Sequence, residues 1–232
     1  SRDSRRTGND ESGTMSQEQT VFIVDDDQAA RESLRWLLES VGHTVRCHAS
    51  AHEFLAAYDG RVSGCLVLDV RMPGMSGLEL QSALLERGWC LPVIIVTGHG
   101  DVPMAVRAMK AGAVDFLQKP YNDQTLLDRI AQALELCRHR RLTYDERLRI
   151  QANYRQLTPR EREVAALVVA GKANKVIAAE LGLSPKTIEV HRANVMFKMQ
   201  AHSLSQLVQM WIRLETAPSA EPSGLPGSGS LA

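Results

Sequence analysis

Four positions in this chain combine residue types that could do chemistry together: Asp25 with Asp26, then Asp69, Thr97 and Lys119. Each follows a short apolar run. Val21–Val24 precedes the cluster Asp25-Asp26-Asp27, Cys65–Leu68 precedes Asp69, Pro92–Val96 precedes Thr97, and Val114–Leu117 lies just before Lys119. Singly, each has a plain explanation, since Asp or Thr after a strand is commonly a turn former or helix cap. Jointly they describe phosphoryl transfer. A carboxylate such as Asp69 can act as nucleophile and become an acyl phosphate. That step needs positioning and charge neutralisation more than acid–base help. Asp25, Asp26 and Asp69 supply hard oxygen ligands suited to Mg2+, with the backbone carbonyl of Arg71 as a further ligand. Lys119 would pair with one phosphoryl oxygen and Thr97 would hydrogen-bond another.

Those residues work together only if the chain brings four strand ends to one edge. The apolar runs read as strands buried on both faces, the pattern of a parallel sheet covered by helices. Between them lie amphipathic stretches: 28–41, with Leu34, Leu37, Leu38 and Val41 on one face, 51–58 after the Ser50–Glu53 capping signal, 77–87, and 103–110. A further short strand is expected over 43–47. Five strands alternating with helices predict an α/β, doubly wound, flavodoxin-like sheet in the order 2-1-3-4-5. In that order the first and third strands are neighbours, so Asp25 and Asp26 stand beside Asp69.

The chain then changes character. Helical spacing of Leu126, Leu127, Ile130, Leu134 and Cys137 closes a first domain over 20–137, and the charged stretch 138–154 reads as an exposed helix or helical linker. A second, all-α domain is expected over 155–214. Thr158-Pro159-Arg160-Glu161 is a capping box with Pro at the first helical position, opening a helix to about 170. Helices over 174–181 and 185–199 flank the tight turn Gly182-Leu183-Ser184, and a fourth helix starts at Ser203. Residues 1–19, with a candidate start at Met15, and the Ala-, Pro-, Ser- and Gly-rich 215–232 are expected to be disordered.

Composition narrows the function classes. The 232 residues carry no net charge, yet the two halves differ. Residues 20–137 hold ten Lys/Arg against fifteen Asp/Glu, whereas residues 138–213 hold fourteen against six. An acidic domain followed by a basic one points to a polyanion met only by the second. No run approaches the roughly 20 apolar residues of a membrane span, and the polar N-terminus lacks a secretory core, so a cytoplasmic protein without membrane contact is expected. Cys47, Cys65, Cys90 and Cys137 show no C-x-x-C pairing and are expected as buried free thiols in a reducing compartment.

A helix, a Gly turn and a Ser-Pro-capped helix make a helix-turn-helix, with 185–199 as the helix that enters the major groove. Ser184, Lys186 and Thr187 stand at its N-terminus, where free N–H groups favour a phosphate. Lys175, Arg192 and Lys198 could add backbone contacts, and Glu189, Val190, Arg192 and Ala193 include the groove-facing candidates. On spacing alone, a small helical bundle for protein contacts, with Lys and Arg as a solvated face, remains the alternative.

Longer motifs settle on one resemblance. Val24–Asp27, Leu68-Asp69-Val70-Arg71-Met72-Pro73-Gly74-Met75-Ser76-Gly77, Thr97–Gly100 and Lys119-Pro120 resemble the receiver domain of two-component response regulators. Leu157–Val164, Gly171–Ala178 and Leu181–Arg192 resemble the LuxR-type DNA-binding domain, and the whole chain is similar to the NarL/FixJ family. The resemblance implies a CheY-like receiver in which a histidine kinase phosphorylates Asp69, and a switch made of Thr97 and Phe116. It also implies a cis Lys119–Pro120 bond, with Asp27 flanking the metal rather than binding it. Further implications are double-stranded promoter DNA as partner and a homodimer on phosphorylation, with Leu204, Leu207, Val208 and Trp211 of the last helix as interface or core. A phosphatase of the dehalogenase type would instead need an acid two residues after its nucleophile. Arg71 holds that position, so no enzyme is expected. A receiver that dimerises without phosphate is a further rival, against which the intact acidic pocket argues.

Overall fold

The computed structural model describes residues 19–98 and 100–216. The expected extension and tail therefore lie almost wholly outside the described residues. Those described divide between Cys137 and Arg138 into two compact units.

The first unit alternates strictly: β1 (Thr20–Val24), α1 (Gln28–Ser40), β2 (Thr44–His48), α2 (Ala51–Ala57), β3 (Gly64–Asp69), α3 (Gly77–Glu86), β4 (Val93–Thr97), α4 (Val102–Lys110) and β5 (Asp115–Gln118). All pairings are parallel, in the order β2-β1-β3-β4-β5. Strand periodicity explains why the runs are apolar throughout. Phe22, Val24, Leu66, Leu68, Val93 and Ile95 pack on one face with Phe54, Leu80, Leu84 and Ala108 of α2, α3 and α4. Val21, Ile23, Cys65, Val67, Ile94 and Val96 pack on the other with Leu34 and Leu38 of α1 and with Leu126, Ile130 and Leu134. Expected and observed strand limits differ by a residue or so; β2 is placed at 44–48, because His48 continues its pairing with Val24.

The last three of those residues belong to α5 (Asp123–Arg155), a 33-residue helix. The stretch expected as an exposed linker forms its second half, and that half is not exposed throughout. Ile150 and Asn153 are buried, and Ile150, Tyr154 and the following Leu157 recur at spacings of four and three to join the core of the second unit. Asn153 also donates its amide N–H to the carbonyl of Met199 at 3.3 Å.

The second unit adds α6 (Pro159–Val169), α7 (Asn174–Leu181), α8 (Pro185–Met199) and α9 (Leu204–Glu215). The capping box opens α6 as the sequence predicts: the Thr158 hydroxyl accepts from Glu161 N–H at 3.2 Å, and the Glu161 carboxylate accepts from Thr158 N–H at 2.8 Å. Between α7 and α8 the chain reverses at Gly182, whose φ of 65° lies in the left-handed region that only glycine enters freely. All four cysteines are free, but only Cys65 and Cys137 are buried as expected; Cys47 is half-buried and Cys90 is exposed.

Candidate functional site

Strand register builds the acidic pocket. Val24 pairs with Leu68, so the next residues, Asp25 and Asp69, leave adjacent strands at one level. Thr97 pairs with Gln118, which puts Lys119 one step beyond β5 at the same edge. Both Lys119 and Asp25 are thereby aimed at Asp69. The Lys119 Nζ donates to Asp25 Oδ2 at 2.6 Å and to Asp69 Oδ1 at 3.2 Å. The remaining oxygens are held by backbone: Arg71 N–H reaches Asp69 Oδ2 at 2.6 Å, and Asp27 N–H reaches Asp25 Oδ1 at 2.9 Å. The Lys119–Pro120 bond is cis.

Charge and burial oppose each other here. Burial pushes the Asp69 carboxyl up; the Lys119 charge draws it down, the Asp25 charge raises it again, and the net position is above the ordinary value. Burial alone would lower the Lys119 ammonium, but its bonds to Asp25 and Asp69 outweigh that and hold it above its ordinary value. Asp25, Asp69 and Thr97 are buried, whereas Asp26 is exposed at the rim. Asp26 and Arg71 line one open groove that continues along α3 and α4 past Met75, Met104 and Arg107. Asp27 caps α1, accepting from Ala29 N–H at 2.8 Å.

The donor set fits a hard divalent cation. Two carboxylates already converge on one ammonium, so the pocket accommodates positive charge between them, and every side-chain donor is oxygen. Among the described residues, no three acidic, His or Cys side chains already stand at metal-holding distance. Phe116 is half-buried on β5, packed against the core face that includes Ile95 and Ala108.

On the helical domain the structure sorts the candidates. Ile188, Val195 and Met199 bury one face of α8, and Lys186, Glu189, Val190 and Ala193 are exposed on the other. Ser184 caps the helix, its hydroxyl accepting from Thr187 N–H at 3.1 Å. Arg192 donates to the Asn174 side chain at 2.7 Å, tying α8 to the start of α7, where Lys175 is exposed. Lys198 is different. Its ammonium is 2.7 Å from the buried carboxylate of Glu161, so it fastens α8 to α6. Burial pushes Glu161 up, but the hydrogen bond from Lys198 and those from Thr158 more than reverse it, leaving the carboxyl below its ordinary value.

Sequence reasoning also missed residues on these faces. Asn194 and Phe197 are exposed on α8, Phe197 at 84%. Steps of four, three and four residues from Lys186 through Val190 and Ala193 reach Phe197, so helical period alone would have found it. On α9, exposed Leu204 and Ile212 flank the half-buried Val208 in a stripe at spacings of four. Leu207 is 0% exposed and belongs to the core, which removes it from the interface set. Trp211 packs edge-on against Tyr154 at 5.5 Å, an inward contact, while its indole N–H donates to the exposed Glu215 at 2.8 Å. Ile212, absent from the candidates, is half exposed.

Comparison with known proteins agrees with this geometry. The response regulator receiver domain family matches residues 21–131, and the luxR family of bacterial regulatory proteins matches residues 155–211. The transcriptional regulatory protein FixJ of Azorhizobium caulinodans is 49% identical over 199 residues, spanning 86% of this chain and 94% of that protein. The chain belongs to the two-component response regulators. It is a phosphorylation-controlled, DNA-binding transcription regulator of the FixJ type, a receiver followed by a LuxR-type domain. The response regulator TodT of Pseudomonas putida is 45% identical over 195 residues, covering 84% of this regulator and 86% of TodT. The solved structure of the response regulator StyR is 46% identical with a TM-score of 0.78, covering 84% of this chain and 99% of that one. No described helix of the regulator is long and apolar enough to cross a membrane.

Proposed function

We propose that Asp69 is the phosphoacceptor of this regulator and that its phosphorylation controls dimerisation and promoter binding. The observation that carries this is the single ammonium of Lys119 bridging Asp25 and Asp69 from three different strands. An Asp69 oxygen attacks the phosphorus of a kinase phosphohistidine. The P–N bond breaks with its electron pair going to the ring nitrogen, and an imidazole already protonated at its other nitrogen leaves neutral. Asp25, Asp26, Asp69 and the Arg71 carbonyl would hold Mg2+, which would supply charge neutralisation. Lys119 passes from Asp69 to a phosphoryl oxygen, and Thr97 donates its hydroxyl to another. A displaced Thr97 alters the space beside Phe116, and the pair biases the surface of α4, β5 and the receiver part of α5 toward one of two arrangements.

The output side rests on two helices. Lys175, Ser184, Lys186 and Thr187 meet phosphates, while Glu189, Val190 and Ala193 face bases and Arg192 positions the helix. Asn194 joins the base-facing set by exposure, and Lys198 leaves the contact set. The stripe of Leu204, Val208 and Ile212 pairs two DNA-binding domains over a two-fold operator. The partners are a sensor histidine kinase, double-stranded DNA and a second copy of the chain, in the cytoplasm.

Sedimentation velocity with Mg2+, with and without beryllofluoride, tests the reading. A shift from monomer to dimer that is lost in Asp69→Asn is expected. The same shift in Asp69→Asn would sink it.

A further inference from the structure

Gly100 lies between Thr97 and α4, directly before Asp101, the residue that caps that helix through a 2.7 Å bond from Met104 N–H. A Cβ built on Gly100 would stand 2.8 Å from both Cε1 and Cζ of Phe116 and 3.3 Å from Cγ2 of Thr97. Carbon atoms pack at about 3.5–4.0 Å, so the Phe116 ring occupies space that any side chain at position 100 would need. The φ of Gly100 lies outside the left-handed region, so the obstacle to an alanine there is one of space. What it meets is the far edge of one ring and one methyl group. A ring edge can yield by changing rotamer.

We propose that Gly100 is a positioning residue of the switch. Its missing side chain leaves a seat for the Phe116 ring between Thr97 and the start of α4, and so sets how often that seat is filled. This rests on the reading of Thr97 and Phe116 as the switch and adds the residue that defines one of its two positions. The link to α4 is direct, because the seat is formed one residue before the cap. That helix is lightly anchored: Ala108 is its one fully buried residue, and Val102, Val106 and Met109 are exposed. A shift of the ring therefore acts on an element with little packing to resist it.

The test uses the full-length protein labelled with fluorophenylalanine, whose four phenylalanines give four 19F resonances. Phe116→Leu assigns one of them. In Gly100→Ala the Phe116 resonance is expected to move while those of Phe22 and Phe54 stay, the seated fraction falling by on the order of tenfold. The beryllofluoride-induced rise in dimer is expected to change in the same variant, and Gly100→Ala is expected to have no further effect in a Phe116→Ala background. An unmoved Phe116 resonance overturns the proposal. So does a moved resonance with a wild-type beryllofluoride response, provided that Phe116→Ala abolishes that response. A wild-type response in Phe116→Ala instead removes the switch reading itself.

Discussion

The receiver pocket and the recognition helix use charge in opposite ways. In the pocket, charges from three strands are buried against one another, and the Asp69 carboxyl is held above its ordinary pKa. On α8, Lys186 is open to solvent, and the charges the domain needs for its own stability, Lys198 with Glu161, are turned inward. In the first arrangement burial disfavours the Asp69 charge while Lys119 is held charged by its bonds to both carboxylates. The second keeps a surface ready for a polyanion at little cost to the fold. Charge is thus set against charge inside the pocket, and on α8 it is divided between an open face and an inward pair.

Asp69→Asn separates the two most sharply. Phosphate incorporation from a small-molecule donor is expected to vanish, read by mass spectrometry. Because the Asp69 carboxyl is raised in the fold, its charge destabilises the native state above the ordinary carboxylate range. Removing that charge is expected to raise the thermal midpoint at pH 7, by calorimetry. A lower midpoint would mean that the Lys119 bond outweighs the burial of the charge.

The helical domain offers the next largest contrast. Leu207→Ala is expected to cost about 2–5 kcal/mol of stability in denaturant titration, as for a fully buried leucine. Leu204→Ala, at a residue 45% exposed, is expected to change stability by less than about 1 kcal/mol while weakening dimerisation in sedimentation. Equal loss of stability in both would erase the distinction between core and outward stripe.

On the reading surface itself, Lys186→Ala is expected to weaken DNA binding across sequences and to lower the salt slope of the logarithm of affinity by about one. Lys198→Met is expected to leave that slope at its wild-type value and to act on stability, because its charge belongs to Glu161. A reduced slope in Lys198→Met would return it to the contact set.

These contrasts also mark what the sequence made legible. Strand ends were readable because each reactive residue follows an apolar run, and the order 2-1-3-4-5 then brings Asp25 beside Asp69. The capping box of Thr158 and Glu161 was readable for the same reason: it is local. Partner choice was not. That Lys198 answers Glu161, or Arg192 answers Asn174, depends on how α8 crosses α6 and α7, and no spacing within α8 records it. The division of α9 into Leu204, Val208 and Ile212 on one side and Leu207 and Met210 on the other lies in the helical period. Which side is core is decided by Ile150 and Tyr154, residues first read as linker. The seat at Gly100 needed the ring position of Phe116, sixteen residues on.

The smallest expected effect concerns acid, and it sets one buried group in each domain against the other. Burial holds the His48 imidazole, packed against Phe22 and Phe54, below its ordinary pKa of about 6.5, partly countered by Glu53 at 3.7 Å. The unfolded chain therefore binds a proton at His48 before the folded receiver does, and receiver stability falls as pH drops below about 6.5. Glu161 behaves as a depressed carboxyl. Its contribution is complete above its unfolded value of about 4.3 and is lost as pH falls from there through the folded value. Lowering the pH from 7 to 5 is thus expected to weaken the receiver while leaving the Glu161–Lys198 pair in place, seen by hydrogen exchange as earlier opening of β2 than of α6. His48→Phe, which fills the same aromatic cluster without a titrating group, is expected to flatten the receiver's dependence over that range and to leave α6 unchanged. An unaltered pH dependence of β2 in that variant would place the acid sensitivity elsewhere in the receiver, with the raised Asp69 excluded because its protonation stabilises the fold.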